Sequence, residues 1–491
     1  MAMANIDVRP ELMIGLVAPV GVDLRKVQNI LEDILKQFNY NIKPIQLSSL
    51  LQRFSGLEIK IDDSTEAKRV DTLMTACNEL RQKTQRGDIL AALAIGQIKQ
   101  HRDKEKPSAG IAYIFRSLKH PDEAELLRDI HGDGFYLLSI SSSRTKRLEY
   151  LTEQQGMTKE EAKRLMKRDE EEEFELGQHM RDAFYLADCF VDIDADDASS
   201  QIARFLDLIF GEPYLTPTND EYAMFLAFAS SLRSGDLSRQ VGAVVTSAKN
   251  EVIATGANDV PCFGGGLYWT NHGESDNRDY KIGYDSNELR KYEIINSIIK
   301  ILKEITDSKE LLQTAMQNLK GTGIFEITEY GRAVHAEMEA ILSCARSGVT
   351  PRGGTLYTTT FPCHNCAKHI IATGIERVVF VEPYPKSFAL ALHSDAIMLA
   401  HDTVASDEKD KVKFEPFVGI GPRRFMDLFS ITLSSGKKIK RKENGKIVNW
   451  ERNSASVKIP LLSMSYIERE RYLNAEIDQT MEKINAISKK Q

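Results

Sequence analysis

The first 200 positions of the chain alternate between two spacings of apolar residues. An apolar run at 11–17 is followed at 24–38 by apolar side chains three or four positions apart, which predicts a strand and then a helix. Later segments repeat this order, with extended stretches at 42–47, 110–115, 134–141 and 187–192 and helical patterns at 65–86, from Pro121 and at 159–175. Strands that alternate with helices predict an α/β fold in which helices cover a parallel sheet.

The turn between the first strand and the first helix is made of small residues, Ala-Pro-Val-Gly-Val-Asp at 18–23. Strand, small-residue turn and helix open a P-loop fold, in which loop amides and the helix N-terminus hold phosphates. Gly15, Gly21 and Asp23 are therefore candidate nucleotide-binding residues. Val22 and Asp23 stand where the P-loop lysine and hydroxyl belong. We expect a degenerate site, which fits nucleotide sensing or structural use better than phosphoryl transfer.

The segment 211–219 contains two prolines and several turn residues, which end helices on both sides. We place a domain boundary here, between a degenerate P-loop kinase-like domain at 1–212 and a second domain at 213–491. Each is long enough to bury its own core. The second domain is predicted to contain an insertion at about 262–332 and a carboxyl-terminal extension.

Two short motifs of the second domain carry the candidate chemistry: His335-Ala-Glu337 and Pro362-Cys363-His-Asn-Cys366. One imidazole and two thiolates suit Zn²⁺, and three protein ligands leave a fourth tetrahedral position for a water, as in catalytic sites. Each motif is predicted to begin a helix, whose N-terminus favours thiolates. Glu337, two positions after His335, is placed to carry protons beside the metal. The spacing is that of zinc-dependent nucleobase deaminases, with a structural zinc knuckle as the alternative.

Composition narrows the classes of partner. The net charge of −7 is a poor fit to a protein that neutralises long stretches of phosphate, which favours small nucleotides over DNA or RNA. The longest apolar run, at 89–95, is far shorter than the roughly 20 residues that cross a bilayer. Asp7 and Arg9 stand where a secretory signal needs an apolar core, so a cytoplasmic location and no membrane partner are predicted.

The order of motifs in the second domain resembles the deoxycytidylate deaminase family. Ser-x-Gln-Val-Gly-Ala-Val at 238–244 and Gly-x-Asn-x-x-Pro at 256–261 precede His-Ala-Glu and Pro-Cys-x-x-Cys-Ala, and the resemblance covers about 219–430. Together with the P-loop-like domain, it resembles the bacterial two-domain deoxycytidine-nucleotide deaminases of phage defence. It implies a cytidine-deaminase-like α/β/α domain that converts dCMP or dCTP to the uracil nucleotide and ammonia. It also implies nucleotide depletion during phage replication, a homo-oligomer such as a hexamer, and an inhibitory RNA.

Three further residues are candidates for binding the substrate. The resemblance implies that Asn258 lies against the sugar, while Arg239 and Lys386, near predicted strand ends, are candidates for the phosphates or else surface cations. Glu339 departs from the asparagine common at this position of the family. The basic segment 436–446, with its Asn-Gly turn signal, is either a solvated hairpin or an RNA contact. Two other functions stay open: a polynucleotide deaminase, or a nucleotide-sensing regulatory protein that takes an effector in its first domain and has a secondary deaminase.

Overall fold

The chain forms two compact units. The computed structural model describes residues 9–53, 60–102, 106–171, 179–305, 308–320, 324, 327–381, 388–400, 410–433, 436–461 and 463–488. Unit 1 contains the residues up to 221 and those from 416 onward, and unit 2 contains 222–381 and 388–415. The domains 1–212 and 213–491 remain a prediction, and the contacts group the segment after 415 with unit 1.

A six-stranded sheet in the order β12-β5-β4-β1-β3-β2 forms the centre of unit 1. Its strands, labelled in chain order, are β1 (Leu12–Val17), β2 (Asn41–Gln46), β3 (Ile111–Leu118), β4 (Phe135–Ser141), β5 (Cys189–Asp192) and β12 (Gly419–Ile420). Strands β1 to β5 are parallel, while β12 pairs antiparallel with β5. All six residues of β1 are buried, as expected of a strand covered on both faces. The predicted parallel α/β arrangement is confirmed, and the P-loop kinase-like character of this unit stays a prediction.

The helices of unit 1 cover this sheet. They are α1 (Leu24–Gln37), α2 (Glu66–Thr84), α3 (Ile89–His101), α4 (Pro121–His131), α5 (Arg144–Glu149), α6 (Lys159–Glu171), α7 (Met180–Tyr185), α8 (Ala198–Ile209), α16 (Phe425–Phe429) and α17 (Ser463–Ser488). Helix α1 begins at the Asp23 cap and buries Val27, Leu31, Ile34 and Leu35, so its apolar spacing faces the core. The predicted Asn-Gly hairpin is present as β13 (Lys442–Glu443) and β14 (Lys446–Ile447).

Helix α3 was not predicted from the sequence. Seven of its thirteen residues are buried and they surround the helix, so its apolar positions show no one-sided spacing. None of the helices in the described ranges combines the length and the apolar character that a bilayer crossing requires.

The segment after residue 415 is fastened to the rest of unit 1 by buried ion pairs. Arg424, which is 3% exposed, contacts the fully buried Asp188 at 3.2 Å. Arg102 is paired with both Glu11 and Glu470, and the latter lies on α17. Because these charges are buried with their partners in place, removal of any one leaves its buried partner with one ion pair fewer.

Unit 2 contains a second six-stranded sheet, in the order β10-β11-β9-β8-β6-β7. Its strands are β6 (Gly242–Thr246), β7 (Val252–Ala257), β8 (Thr355–Thr358), β9 (Arg377–Phe380), β10 (Ile397–Leu399) and β11 (Val412–Pro416). Its helices are α9 (Asn219–Ser231), α10 (Asp279–Ile282), α11 (Ser286–Ile305), α12 (Lys309–Lys320), α13 (Ala336–Ser347), α14 (His364–Ala372) and α15 (Ala389–Leu392). Strand β6 is antiparallel to both β7 and β8, and β8 is parallel to β9, so the sheet is mixed.

Close packing of α13 on the sheet depends on one glycine. A Cβ atom on Gly256 of β7 would lie 2.1 Å from the carbonyl oxygen of Ala336 and 2.5 Å from the amide nitrogen of Ala340. Only a residue without a side chain fits at this distance. The strand β7 therefore fixes the height of the first turn of α13 above the sheet.

Candidate metal centre and active site

Two helix N-termini carry the three predicted metal ligands. His335 is the N-cap of α13 and Cys363 is the N-cap of α14, both with extended backbone angles. Cys366 lies on the first turn of α14 and is fully buried. Since neither cap side chain bonds its own helix, both point to the shared centre, where the partial positive charge of the helix ends favours thiolates.

The three ligand atoms are close together. Cys363 Sγ lies 3.3 Å from His335 Nδ1 and 3.6 Å from Cys366 Sγ, and Cys366 Sγ lies 3.3 Å from His335 Nδ1. The sulfur–sulfur distance is far longer than the about 2.05 Å of a disulfide bond. These residues form the one cluster of three or more potential metal ligands found among the described residues.

The cluster fits a zinc ion. Tetrahedral zinc with ordinary bond lengths sets edges of about 3.8 Å between two sulfurs and about 3.6 Å between sulfur and nitrogen. The observed separations agree with these edges to within about 0.3 Å. Two sulfurs and one imidazole nitrogen suit zinc better than a hard cation such as magnesium. With three protein ligands, the set resembles catalytic zinc sites more than closed structural ones.

Glu337 lies beside the cluster without belonging to it. Its side chain is 3% exposed, and Oε2 accepts a hydrogen bond from Cys366 Sγ at 3.4 Å. Burial raises the pKa of this carboxyl above its usual value. A buried carboxylate of raised pKa next to a metal cluster is suited to accept and release a proton.

The pKa values of the two thiols are shifted in opposite directions. The hydrogen bond between Cys363 and Cys366, helped by His335 and opposed by burial, lowers the pKa of Cys363 to about 3. The same hydrogen bond, together with burial, raises the pKa of Cys366 well above the ordinary thiol value. The hydrogen bond with Cys363 raises the pKa of His335, against the effect of burial. The centre thus already favours one thiolate, which is the form that a metal needs.

The predicted substrate residues are placed differently from one another. Asn258 is 7% exposed and ties down the chain before β6, since its Oδ1 accepts from Val241 N at 2.6 Å and its Nδ2 donates to Arg239 O at 2.8 Å. The Arg239 side chain is exposed, and its charge acts on His335, which places it near the metal cluster. Lys386 lies outside the described residues.

Glu339, the departure from the family pattern, is neutralised by a neighbour on its own helix. The carboxylate is 5% exposed and accepts hydrogen bonds from the Arg346 guanidinium, about two turns further along α13. The extra negative charge on the metal-bearing helix is therefore paired, and it does not point to a second ligand.

Each of the three candidate P-loop residues has a structural role in unit 1. Gly15 is buried in β1, where a Cβ would meet the side chains of Leu118 and Leu137 at 2.6 and 2.8 Å. Gly21 has a φ of +94°, and Asp23 accepts from two amides of the first turn of α1. Their role in nucleotide binding stays a prediction.

The turn at 18–23 holds a carboxylate that the sequence did not reveal. Asp169 lies in the charged run at 168–175, which resembles a solvated helix face, yet Asp169 is 3% exposed. Its Oδ2 accepts from Val20 N at 2.8 Å and its Oδ1 from Lys119 Nζ at 2.7 Å. Partners this distant in sequence leave no local signal.

Residues 217–382 match the family model described as the cytidine and deoxycytidylate deaminase zinc-binding region. The cluster of His335, Cys363 and Cys366 lies within the matched range. Unit 2 therefore contains the zinc-binding region of this class of deaminase, and zinc is its cofactor.

Deoxycytidylate deaminases are among the proteins to which the chain is similar. A deoxycytidylate deaminase of Pongo abelii is 28% identical over 161 residues, which are 33% of this chain and 63% of the relative. ComE operon protein 2 of Bacillus subtilis is 47% identical over 53 residues, 11% of this chain and 28% of that protein. A dCMP deaminase from the cyanophage S-TIM5, solved with dCMP and dUMP, is 17% identical with a TM-score of 0.24, covering 42% of this chain and all of that chain. The chain thus spans less than two thirds of the length of the mammalian relative, and the region that it matches is similar to deoxycytidylate deaminases.

Proposed function

We propose that the protein hydrolyses the exocyclic amino group of a deoxycytidine nucleotide, dCMP or dCTP, and releases ammonia and the matching uracil nucleotide. The observation that supports this most directly is the buried Glu337 carboxylate, 3.4 Å from a sulfur of the His335–Cys363–Cys366 cluster. A structural zinc knuckle needs a fourth ligand and has no use for a buried carboxylate beside it.

His335, Cys363 and Cys366 would hold the zinc ion, which would supply Lewis-acid activation of the water that attacks C4 of the cytosine ring. The proton transfers fall to the chain itself. Glu337 accepts a proton from the attacking water and passes it to the ring nitrogen N3, then takes the remaining proton from the new hydroxyl on C4 and delivers it to the departing amine. The bond between C4 and this nitrogen breaks, ammonia leaves, and the oxygen added at C4 remains as the uracil carbonyl.

Binding of the nucleotide uses the polar residues before β6. The exposed Arg239 guanidinium, whose charge acts on His335, is the candidate for a substrate phosphate. Asn258 holds the backbone of Arg239 in place and retains one N–H and one lone pair for the sugar. Lys386 remains a further candidate for the phosphates.

The proposal is tested by offering the purified protein dCMP, dCTP, CMP, CTP, cytidine and a cytosine-bearing oligonucleotide, with uracil products measured by mass spectrometry. We expect turnover of dCMP or dCTP and its loss in Glu337→Gln. Glu376→Gln is the matched control, because it makes the same chemical change at an exposed carboxylate of unit 2.

Two results would contradict the proposal. Reaction of the oligonucleotide alone would favour a polynucleotide deaminase, and full activity in Glu337→Gln would remove the proton carrier from the mechanism. Zinc content measured on the same samples separates loss of the metal from loss of proton transfer.

We also propose that unit 1 is a degenerate P-loop kinase-like domain that regulates the deaminase. The parallel order of β1 to β5 supports this, as does the small-residue turn before α1. Depletion of nucleotides during phage infection, assembly into a homo-oligomer and control by a nucleotide effector or an inhibitory RNA belong to the same proposal. Protection of cells from phage by the wild type, and its loss in Glu337→Gln, would support the cellular role.

A further inference from the structure

Unit 1 contains a cavity of about 280 Å³ at the carboxyl ends of β1, β2 and β3. In parallel α/β sheets this is the edge at which ligands bind. The volume is close to the lower end of the range of small-molecule pockets.

The walls of the cavity combine apolar side chains with an aromatic ring. Leu73, Met74 and Met157 form part of the lining, next to Tyr150. Tyr150 begins a short π-helical turn, Tyr150–Gln154, an irregularity that is common at functional sites. An apolar wall with a half-buried aromatic ring suits a flat heterocycle.

Most of the cations around the cavity are already neutralised. Arg69 is bonded to Glu66, Arg81 to Glu123 at 2.8 Å, and Lys119 to Asp169. Because their charges are compensated, these three cations have little positive charge left to attract an anionic ligand.

Arg25 and Arg116 differ from the other cations. Neither guanidinium has a carboxylate partner among the described residues, although the carboxylate of Asp23 lies nearby and caps α1. Arg116 donates to Gln28 Oε1 at 3.2 Å, but its buried Nε–H has no acceptor. Burial and then the Arg25 charge lower the pKa of Arg116, so the two cations repel each other. An unsatisfied buried donor and two cations that line the same cavity are stabilised by a bound anion.

The backbone next to Arg116 is irregular at this edge of the sheet. Leu16 of β1 pairs with Arg116 and Val17 with Leu118, so Ser117 is an extra residue in β3. Ser117 also lines the cavity and has a φ of +67°. Bulges and left-handed residues other than glycine cost free energy and are concentrated at ligand sites.

At the turn 18–23, a carboxylate of unit 1 competes with any bound phosphate. There, the amide of Val20 and the Lys119 ammonium already bind the buried Asp169 carboxylate. A phosphate at that position would have to displace a fully paired group, whereas one between Arg25 and Arg116 gains donors that have no acceptor.

We propose that this cavity binds a nucleoside monophosphate, with the phosphate between Arg25 and Arg116 and the base against Tyr150. The site is separate from the zinc cluster, and the proposal does not depend on the deaminase reaction. It gives the predicted nucleotide effector a location in which Arg25 and Arg116 bind the phosphate, with Gly21 of the P-loop-like turn also in the cavity wall.

The test is hydrogen exchange on the full chain with dTMP, dCMP or inorganic phosphate at millimolar concentration. We expect the nucleotides to protect peptides at 111–118 and 144–157, whether or not peptides near the zinc cluster change. Arg116→Met and Arg25→Met should each raise the dissociation constant for this protection at least tenfold. Arg423→Met, an exposed arginine of unit 1 that does not line the cavity, is the control and should bind as the wild type does.

The outcomes separate the parts of the proposal. Absence of protection at 111–118 and 144–157 would overturn it, and so would unchanged affinity in both Arg25→Met and Arg116→Met. Equal protection by inorganic phosphate alone would overturn recognition of the base. Loss of affinity in Tyr150→Leu with retention in Tyr150→Phe would support stacking. Arg25 is exposed on α1, so its variant is expected to fold even if Arg116→Met does not.

Discussion

Substitution of Gly256 by alanine should disable the metal centre without touching any of its side chains. The added Cβ would lie 2.1 Å from Ala336 O, about 0.9 Å short of the 3.0 Å that real Cβ contacts keep. Both nearby atoms belong to the backbone of α13, so the helix has to move away from the sheet. Overpacking of this kind costs about 1–3 kcal/mol of stability.

The displaced part of α13 is its first turn, which bears His335 and Glu337. A misplacement of about 1 Å can reduce a rate about 100-fold. We therefore expect Gly256→Ala to fold with a lowered melting temperature, to bind zinc at least tenfold more weakly, and to lose most deaminase activity. Thermal unfolding, metal analysis and kcat/KM on the preferred nucleotide measure the three effects.

Gly242→Ala is the matched control for this change. Its Cβ would lie 1.8 Å from Ala227 O of α9, a helix that bears none of the zinc ligands. Similar destabilisation with retained zinc is expected. If Gly256→Ala keeps wild-type zinc affinity and wild-type turnover, the packing of α13 on β7 does not position the site and the reasoning is refuted.

Three further changes test other parts of the structure. Cys366→Ser should release zinc, because a hydroxyl replaces a thiolate ligand, and metal analysis of the purified protein checks this. Asn258→Ala should lower stability by about 1–3 kcal/mol in denaturant unfolding, since it strands buried backbone groups before β6. Burial raises the pKa of Glu470, but hydrogen bonds from His131 and Arg102 outweigh it and the net pKa is lowered from 4.5. The ionised Glu470 therefore contributes its full stabilisation above pH 4.5, and this stabilisation is lost as the pH falls through the lower pKa of the folded state. Glu470→Gln should be less stable than the wild type at neutral pH, and the difference should narrow in acid.

The metal centre could be predicted because its residues are local to two motifs. His335 and Glu337 share one helix start, and Cys363 and Cys366 share another, so short-range spacing already fixes their faces. The order of strands and helices in unit 1 was predictable for a similar reason, because each element has its own period of apolar residues.

The features that escaped prediction depend on contacts between distant residues. Asp169 looks like part of a solvated charged run until Lys119 and the Val20 amide are placed beside it. The buried residues of helix α3 lie on all of its sides, so its apolar positions do not repeat with the period of a one-sided helix. The Arg25 and Arg116 guanidiniums interact electrostatically only when the fold brings residues of α1 and β3 together, as the hydrogen bond from Arg116 to Gln28 does.

The return of the chain to unit 1 after residue 415 has a consequence for how this protein can be divided. Unit 2 is inserted into unit 1: the chain enters unit 2 from unit 1 and returns to unit 1 afterwards, as when one domain interrupts another. A fragment that stops near residue 212 would lose β12 from the edge of the sheet of unit 1 and leave Asp188 without Arg424. Unit 1 is therefore best obtained alone by deleting unit 2 and joining the two parts of unit 1 with a short linker, and not by simple truncation.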